Sequence, residues 1–417
     1  MDNKQTKESQ AINWEYLPDT TTLSQYLGRK ELIELSKCCK RYRNQLNRKI
    51  LEYLNLVIWD SDNDEISNED NYNIKYEIVL RLLKIDLGNR LKLVKGVNLD
   101  CFINPSFSKR LIKLIPNIKL LRFINNSSDS NLFNILTTVL KGFEQLEHVE
   151  FVYDSELLGN NYARKQIFQK SIKSIKINFD GYYIPIADGL TIYDTIDSSY
   201  INLQSLSIIT NRTLQNLSCG MQNLREVEII DTGNLDTSTL VTFLITNPQL
   251  KKLITTNLEY KDEEIVKTVL CSKYIESWCI NDRDGNESVT RNLPSNYSIK
   301  YLKLDSRIFT PLALKIINAC KSLETLEFNP NNNLNNLNLS KFNQRVNILK
   351  LFNVYRYYPG FEKIIKKIDS LKLFNQVHVS YSCEGDEVVY EEYSFDLLKN
   401  YKIITITSGV GIFKLIS

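Results

Sequence analysis

IKYLKLDSRIFTPLALKIINACKSLETLEF, residues 299–328, holds two short strands with a helix between them. Side chains along a strand alternate between its two faces, so Leu302 and Leu304 share one face while Tyr301 and Lys303 share the other. Thr310-Pro311 then places a capping residue before a proline at the first helical position. Leu314, Ile317 and Cys320 follow at helical spacing. At Leu323 the opening hexad returns as LETLEF.

Outward from this stretch, the pattern L-x-x-L-x-L (large aliphatic or Phe at each L) forms a ladder. It reads VKGVNL at Val94, IKLLRF at Ile118, LEHVEF at Leu146, IKSIKI at Ile172, LQSLSI at Leu203 and LREVEI at Leu224. It continues as LKKLIT at Leu250, IESWCI at Ile275, the two hexads above, VNILKL at Val346 and IDSLKL at Ile368. The twelve starts lie 21 to 31 residues apart, within or close to the period of about 20–29 residues of a leucine-rich repeat. One such hexad is weak evidence in a Leu/Ile-rich chain; twelve are strong. Gly96 inside the first and Thr255 closing the seventh fit poorly. Position nine is Asn or Asp in five units (Asn126, Asp154, Asp180, Asn211, Asn331), suited to bonding the backbone where the chain leaves the strand. Asp262-Glu263-Glu264 puts acids in a first helical turn ahead of Ile265, Val269 and Leu270. Strands stack about 4.8 Å apart whereas packed helices need about 8–10 Å. The expectation is therefore an α/β leucine-rich-repeat solenoid, curved, with a parallel inner sheet beginning near Val94 and outer helices.

Composition narrows the function. Of 417 residues, 52 are Lys or Arg and 49 Asp or Glu, a net charge of +3. So even a balance argues against a nucleic-acid partner, which needs a clear basic excess. His148 and His378 are the only histidines, which speaks against a histidine metal site or a Ser-His-Asp triad. The expectation is no enzyme, no cofactor and no metal. The opening residues Met1–Trp14 carry no apolar signal core, and no apolar run is long enough to span a bilayer, so no membrane partner is expected. Eight cysteines (Cys38, Cys39, Cys101, Cys219, Cys271, Cys279, Cys320, Cys383) show no CxxC pair. They read as small buried apolar residues of a protein in the cytoplasm or nucleus.

The first sixty residues carry no hexad in this reading. Leu32, Leu35, Cys39, Tyr42, Leu46 and Ile50 recur at three- and four-residue steps, which predicts a helix from about Lys30, after a break at Gly28. The segment WEYLPDTTTLSQYLGRKELIELSKCCKRYRNQL resembles the F-box. The elements that carry the resemblance are Leu17-Pro18, Tyr26-Leu27, Glu31-Leu32 and the block Cys38-Cys39-Lys40-Arg41-Tyr42-Arg43. The interval from Leu-Pro to Tyr-Leu is shorter than in that family, and Tyr42 stands where Trp is usual. The organisation read from the chain is a disordered tail over 1–13, a small all-α F-box-like domain over 14–54, a linker and capping helix over 55–93, and repeats over 94–417. Within 55–93 a helix is expected from Tyr72 to Ile85. Asp60–Glu65 looks like the start of a calcium loop but has Glu65 where Gly is required and Asn71 where Glu is required, so it reads as a solvated acidic loop.

Outward fifth positions run Arg122, Glu150, Lys176, Ser207, Glu228, Ile254, Cys279, Lys303, Glu327, Lys350 and Lys372. Alternating signs suit a cross-strand ion ladder. The functional reading, set beside the favoured ladder, is a mixed-charge recognition surface centred on Ile254, Cys279 and Tyr301, with Glu150, Lys176, Glu228, Lys303 and Glu327 around it. Gly409-Val-Gly411 lacks the third glycine of a dinucleotide loop.

F-box followed by leucine-rich repeats resembles the F-box/leucine-rich-repeat proteins. That resemblance implies a substrate-recognition subunit of a Skp–cullin–F-box ubiquitin ligase, with the Skp adaptor, through it a cullin, and a protein substrate as partners. Leu17, Pro18, Leu27, Leu32, Leu35, Cys39 and Tyr42 are the apolar set expected to be shared between the helical core and the adaptor. The competing reading is a stand-alone leucine-rich-repeat scaffold or regulator whose N-terminal helices form a cap.

Overall fold

The structure, a computed structural model, describes residues 27–56, 77–100, 104–125, 132–153, 166–179, 191–231, 235–256, 263–281, 292–305, 308, 310–329, 337–354, 361–381, 398–407 and 410–416. They fall into two compact units, Met1–Leu146 and Glu147–Ser417.

The second unit shows the repeat most clearly. Strands β4 (His148–Tyr153), β5 (Ser174–Phe179), β6 (Ser205–Ile208), β7 (Glu226–Ile230), β8 (Lys252–Thr256) and β9 (Ser277–Asn281) are followed by β10 (Tyr301–Leu304), β11 (Thr325–Phe328), β12 (Val346–Val354) and β13 (Phe374–Tyr381). Each pairs in parallel with the next in sequence. Register aligns the fourth hexad positions, so Val227, Leu253 and Trp278 are neighbours across β7–β9, and all three are fully buried. Helices Asn211–Leu217, Thr237–Thr246 and Glu263–Cys271 pack side by side, and their inward residues (Leu214, Leu240, Ile265, Val269) are equally buried. Alternation thus puts one face of every strand into the core beneath the helices and leaves the other open. Its fold is that of an α/β leucine-rich-repeat solenoid.

A four-residue turn leads into β6, β7, β8 and β11. Leu203, Leu224, Leu250 and Leu323 donate their N–H groups back to the carbonyls of Tyr200, Met221, Asn247 and Cys320. Asn247 in one of these turns, and Asn296 just ahead of β10, are buried amides that tie their repeats to the previous one. Asn247 donates to the Leu217 and Phe243 carbonyls and accepts from the Met221 N–H. Asn296, 2% exposed, donates to the carbonyls of Leu270 and Ser272 at 2.8 Å each and accepts from the N–H groups of Ser298 and Ile299. The position-nine residue Asn211 likewise works between repeats: its side-chain carbonyl accepts the Asp236 N–H at 2.7 Å. The other four position-nine residues lie outside the described residues. The poor fit at Thr255 has a reason too, because its buried hydroxyl donates to the Cys279 carbonyl on β9.

Two expectations for this unit are corrected at its C-terminal end. The hexad IDSLKL at Ile368 is not a strand; Phe361–Leu371 is a helix and Lys372 takes a left-handed turn, φ 50°. The strand is FNQVHV at Phe374, where Val377 and Val379 register with Leu349 and Leu351. Helix Phe361–Leu371 is strongly amphipathic, and its buried Ile368 imitates the first hexad position. Beyond β13 the parallel rule ends: β14 (Tyr401–Thr407) and β15 (Val410–Leu415) form a hairpin, and β15 pairs antiparallel with β13. Gly411 is a strand residue opposite Val379, not part of a phosphate loop.

The first unit holds helices α1 (Arg29–Cys38) and α2 (Lys40–Ile50), then β1 (Tyr53–Asn55), β2 (Gly96–Asp100) and β3 (Leu120–Asn125), parallel in that order. Its sheet therefore starts at Tyr53 rather than near Val94. LEYLNL at Leu51 is a further hexad, hidden in the stretch read as helical. Gly96 is explained by the same strand: it registers with Tyr53, whose ring occupies the space a β-carbon at 96 would need. Of the helix expected over 72–85, residues 77–82 are helical; the chain then widens to a π turn (Leu83–Leu87) and tightens into a 3-10 turn (Gly88–Leu93). The acidic loop at Asp60–Glu65 lies outside the described residues.

Cysteine burial is mixed, against the reading of eight buried thiols. Cys279 and Cys320 are buried, whereas Cys38, Cys39, Cys219 and Cys271 sit at helix ends and are exposed. Cys101 and Cys383 lie outside the described residues.

Leaving a buried donor or acceptor unsatisfied costs about 1–3 kcal/mol. Asn296→Ala strips partners from two carbonyls and two N–H groups at one joint. It should lower the urea-unfolding free energy by about 2–4 kcal/mol, while an exposed change such as Asn375→Ala leaves it within about 0.5 kcal/mol.

Candidate functional site

The open face of the second unit carries two rows of aligned side chains. One runs Glu228, Ile254, Cys279, Lys303, Glu327, Lys350 and His378, each in register with the next. The other runs Glu226, Lys252, Ser277, Tyr301, Thr325, Ile348 and Gln376. Ile254, Tyr301, Lys303 and Glu327 are half-buried and Cys279 is buried, so the face is close-packed through its middle. Glu150 and Lys176 face each other on β4 and β5.

Direct cross-strand ion pairs form on this face at Lys252–Glu226 and at Lys303–Glu327. Lys303 Nζ lies 3.0 Å from a Glu327 oxygen. The Tyr301 hydroxyl donates to the other Glu327 oxygen at 2.5 Å. Burial, that hydrogen bond and the Glu327 charge all hold the Tyr301 phenol protonated well above its usual range. The Lys303 ammonium also stands over the Phe352 ring at 4.2 Å, and Lys350 over the Tyr301 ring at 5.8 Å. The result is a half-buried aromatic and cationic knot spanning β10 to β12.

At the other end a diagonal pair joins the direct one. Lys176 reaches past β6 to Glu226 at 3.5 Å, and Lys252 binds the same carboxylate at 2.8 Å. Burial works to raise the Glu226 pKa, but the two ammoniums outweigh it and the net shift is downward. Glu228 goes the other way: burial raises it, and the Ser207 hydroxyl, donating at 2.9 Å, with the Lys176 charge only partly offsets that. Two carboxylates on one strand are thus driven in opposite directions. Burial also raises the Cys279 thiol, which makes it a poor nucleophile. His378 is pushed below its usual value by burial and by Lys350. His148 is exposed, opposite Ser174. Among the described residues no cluster of three or more His, Cys, Asp or Glu is placed to hold a metal ion.

The sequence reading found Glu150, Lys176, Glu228, Ile254, Cys279, Tyr301, Lys303 and Glu327, and all eight lie on this one face. It missed Glu226 and Lys252, although third positions alternate as clearly as fifth ones. It also missed His378, because the last hexad was set six residues early, and Phe352, which follows the hexad. A further row was visible at the second positions: Glu147–Lys173 at 2.7 Å, Lys251–Glu276 at 3.3 Å and Lys300–Glu324 at 4.0 Å. Such exposed pairs contribute about 0–1 kcal/mol each.

In the first unit, the adaptor set divides. Leu32 and Tyr42 are buried with Leu46 and Ile50 in one cluster, and Leu27 and Leu35 pack against it while half-exposed. Cys39 does not belong to the apolar stripe. It takes an extended backbone between α1 and α2, is exposed, and accepts the Tyr42 N–H on its sulfur. The single helix expected there is two, and α2 turns Tyr42, Leu46 and Ile50 to meet Leu32. Leu17 and Pro18 lie outside the described residues.

No family model matches this chain, nor does any curated protein. Among solved structures, it is similar to a chain of the Rad7 and Elc1 complex in yeast, at 13% identity and a TM-score of 0.43, covering 76% of this chain and 87% of that one. It is also similar to the leucine-rich repeat-containing protein LegL7 from Legionella pneumophila, at 11% identity and a TM-score of 0.36, covering 69% and 84%. The fold assignment rests on the hexad register itself.

Glu228 generates a pH signature. Its folded pKa is raised, so stability from this group is greatest below the unfolded value of 4.5 and falls as pH rises through the folded value. Glu228→Gln should therefore melt above wild type at pH 7, and the two melting curves should converge below pH 4.5.

Proposed function

We propose that this chain is a non-catalytic recognition subunit that holds a protein substrate on the open face of its repeat sheet. The observation that carries the reading is the half-buried knot of Tyr301, Lys303, Glu327, Lys350 and Phe352. Its two rings, Tyr301 and Phe352, held by the lysines and Glu327 and flanked by the less polar Ile254 and Cys279, are of the residue types enriched at protein-binding centres. Ordering in advance of binding spares the side-chain entropy that a partner would otherwise cost.

The F-box resemblance of residues 14–54 extends the proposal. The N-terminal helices dock the Skp adaptor of a Skp–cullin–F-box ubiquitin ligase, and the repeats present the substrate. Transfer chemistry belongs to other subunits, and this chain contributes proximity and orientation. Such a protein works in the cytoplasm or nucleus. Leu27 and Leu35, half-exposed beside a closed cluster, support an additional apolar partner at α1. The alternative is a stand-alone scaffold with a helical cap, and it draws on the same cluster, since Leu32, Tyr42, Leu46 and Ile50 already bury one another.

The adaptor decides between them. Leu17→Ala with Pro18→Ala should weaken adaptor binding at least tenfold, the loss expected when interface anchors are truncated by about 2 kcal/mol, while circular dichroism of the repeats is unchanged. Equal co-purification of the double mutant and wild type contradicts the assignment, and a wild type that never binds adaptor leaves the scaffold.

A further inference from the structure

Charge is not spread evenly along the open face of the second unit. Glu150, Glu226 and Glu228 stand among Lys176 and Lys252 on β4–β8, an acidic balance. From β12 onward the charged residues on the two aligned rows are Lys350, Lys414 and Lys402, all cationic. Lys414 registers with Gln376 on β13 and with Lys402 on β14, and directly opposed residues of antiparallel strands share a face. Lys350 registers with His378 in the neighbouring row of that face.

Two features make this a site in want of an anion. Lys402 and Lys414 are like charges placed directly opposite, an arrangement that destabilises a sheet unless something neutralises it. Among the described residues, none of Lys350, Lys402 and Lys414 has an ion-pair partner, unlike Lys176, Lys252 and Lys303 on the same face. Lys402 lies on the last strand of the sheet, where a lysine also discourages unwanted strand pairing. Lys350 and Lys414 lie on inner strands, where that explanation fails.

We infer that the β12–β14 end of the open face docks an Asp/Glu-rich peptide segment, with Lys350, Lys402 and Lys414 pairing its carboxylates and Tyr301 and Phe352 packing its apolar flank. The dimensions fit. Three strand steps from β12 to β14 span roughly 14 Å at about 4.8 Å each, the length of about four extended residues. Alternate residues of such a segment repeat about every 6.8 Å on one side, which offers two or three carboxylates to three ammoniums. This rests on the reading that the open face is the recognition face, and it is independent of the adaptor.

The test is fluorescence anisotropy of the full chain with labelled twelve-residue peptides in which Glu or Asp alternates with Ser, and Gln-for-Glu and Lys-for-Glu versions as controls. Wild type should bind the acidic peptide at least tenfold more tightly than the Gln version, and affinity should fall as salt is raised. Lys350→Gln with Lys402→Gln and Lys414→Gln should remove at least tenfold of that affinity, whereas Lys176→Gln with Lys252→Gln should change it less than twofold. These side chains project from the sheet, and a melting temperature for the triple variant at or above that of wild type confirms that folding is intact. Equal binding of the acidic and Gln peptides, or equal loss in the two multiple variants, overturns the inference. Adaptor binding by a wild type that ignores the acidic peptide would overturn it while leaving the ligase reading in place.

Discussion

Parallel registration of fourth and sixth hexad positions is the constraint on which the rest of this protein depends. Once Leu206 lies beside Val227, Leu253 and Trp278 in succession, one face of the strands is committed to the core. Helices must then cover it, and the intervening third and fifth positions are forced to the open side. A one-residue slip would exchange the two sets completely. Fully burying a Leu, Ile or Phe side chain is worth about 1.5–3 kcal/mol, and each repeat sets several such residues against that slip.

The same constraint creates the candidate site without dedicating any element to it. Side chains from strands more than twenty residues apart in sequence are delivered about 4.8 Å apart, already aligned. Crowding does the rest. Tyr301, Glu327 and Lys303 satisfy one another, and the half-buried setting separates Glu226 from Glu228 in proton affinity. What such a face offers is an ordered surface of mixed polarity, in which burial raises the Cys279 thiol and His378 lies next to a lysine.

Most of this order was legible in the sequence because a period-two pattern repeated eleven times at the right place. Errors cluster where the pattern meets its boundaries. Helix Phe361–Leu371 ends in residues that imitate a hexad, and only pairing with β12 shows that Phe374 starts the strand. LEYLNL at Leu51 was missed because Tyr42, Leu46 and Ile50 ran straight into it at helical spacing. The single helical stripe breaks at Cys39 for a local reason, since one extended residue ends a helix without altering the spacing of its apolar residues. The amides Asn247 and Asn296 carried no visible signal: their work is done between repeats, on carbonyls some 25 to 30 residues earlier. Likewise, β14 and β15 pair antiparallel outside the hexad ladder, where the hexad search is blind.

The receptor account joins an N-terminal docking element to a separate recognition face, and a truncation at residue 51 separates the two. It removes α1 and α2 while retaining β1 and the repeats that follow. Affinity purification of the full and truncated chains, reading the Skp adaptor and the cullin in each eluate, tests the account most directly. The account predicts both subunits with the full chain and neither with the truncated one. Equal recovery from both chains, or none from the full chain, would contradict it.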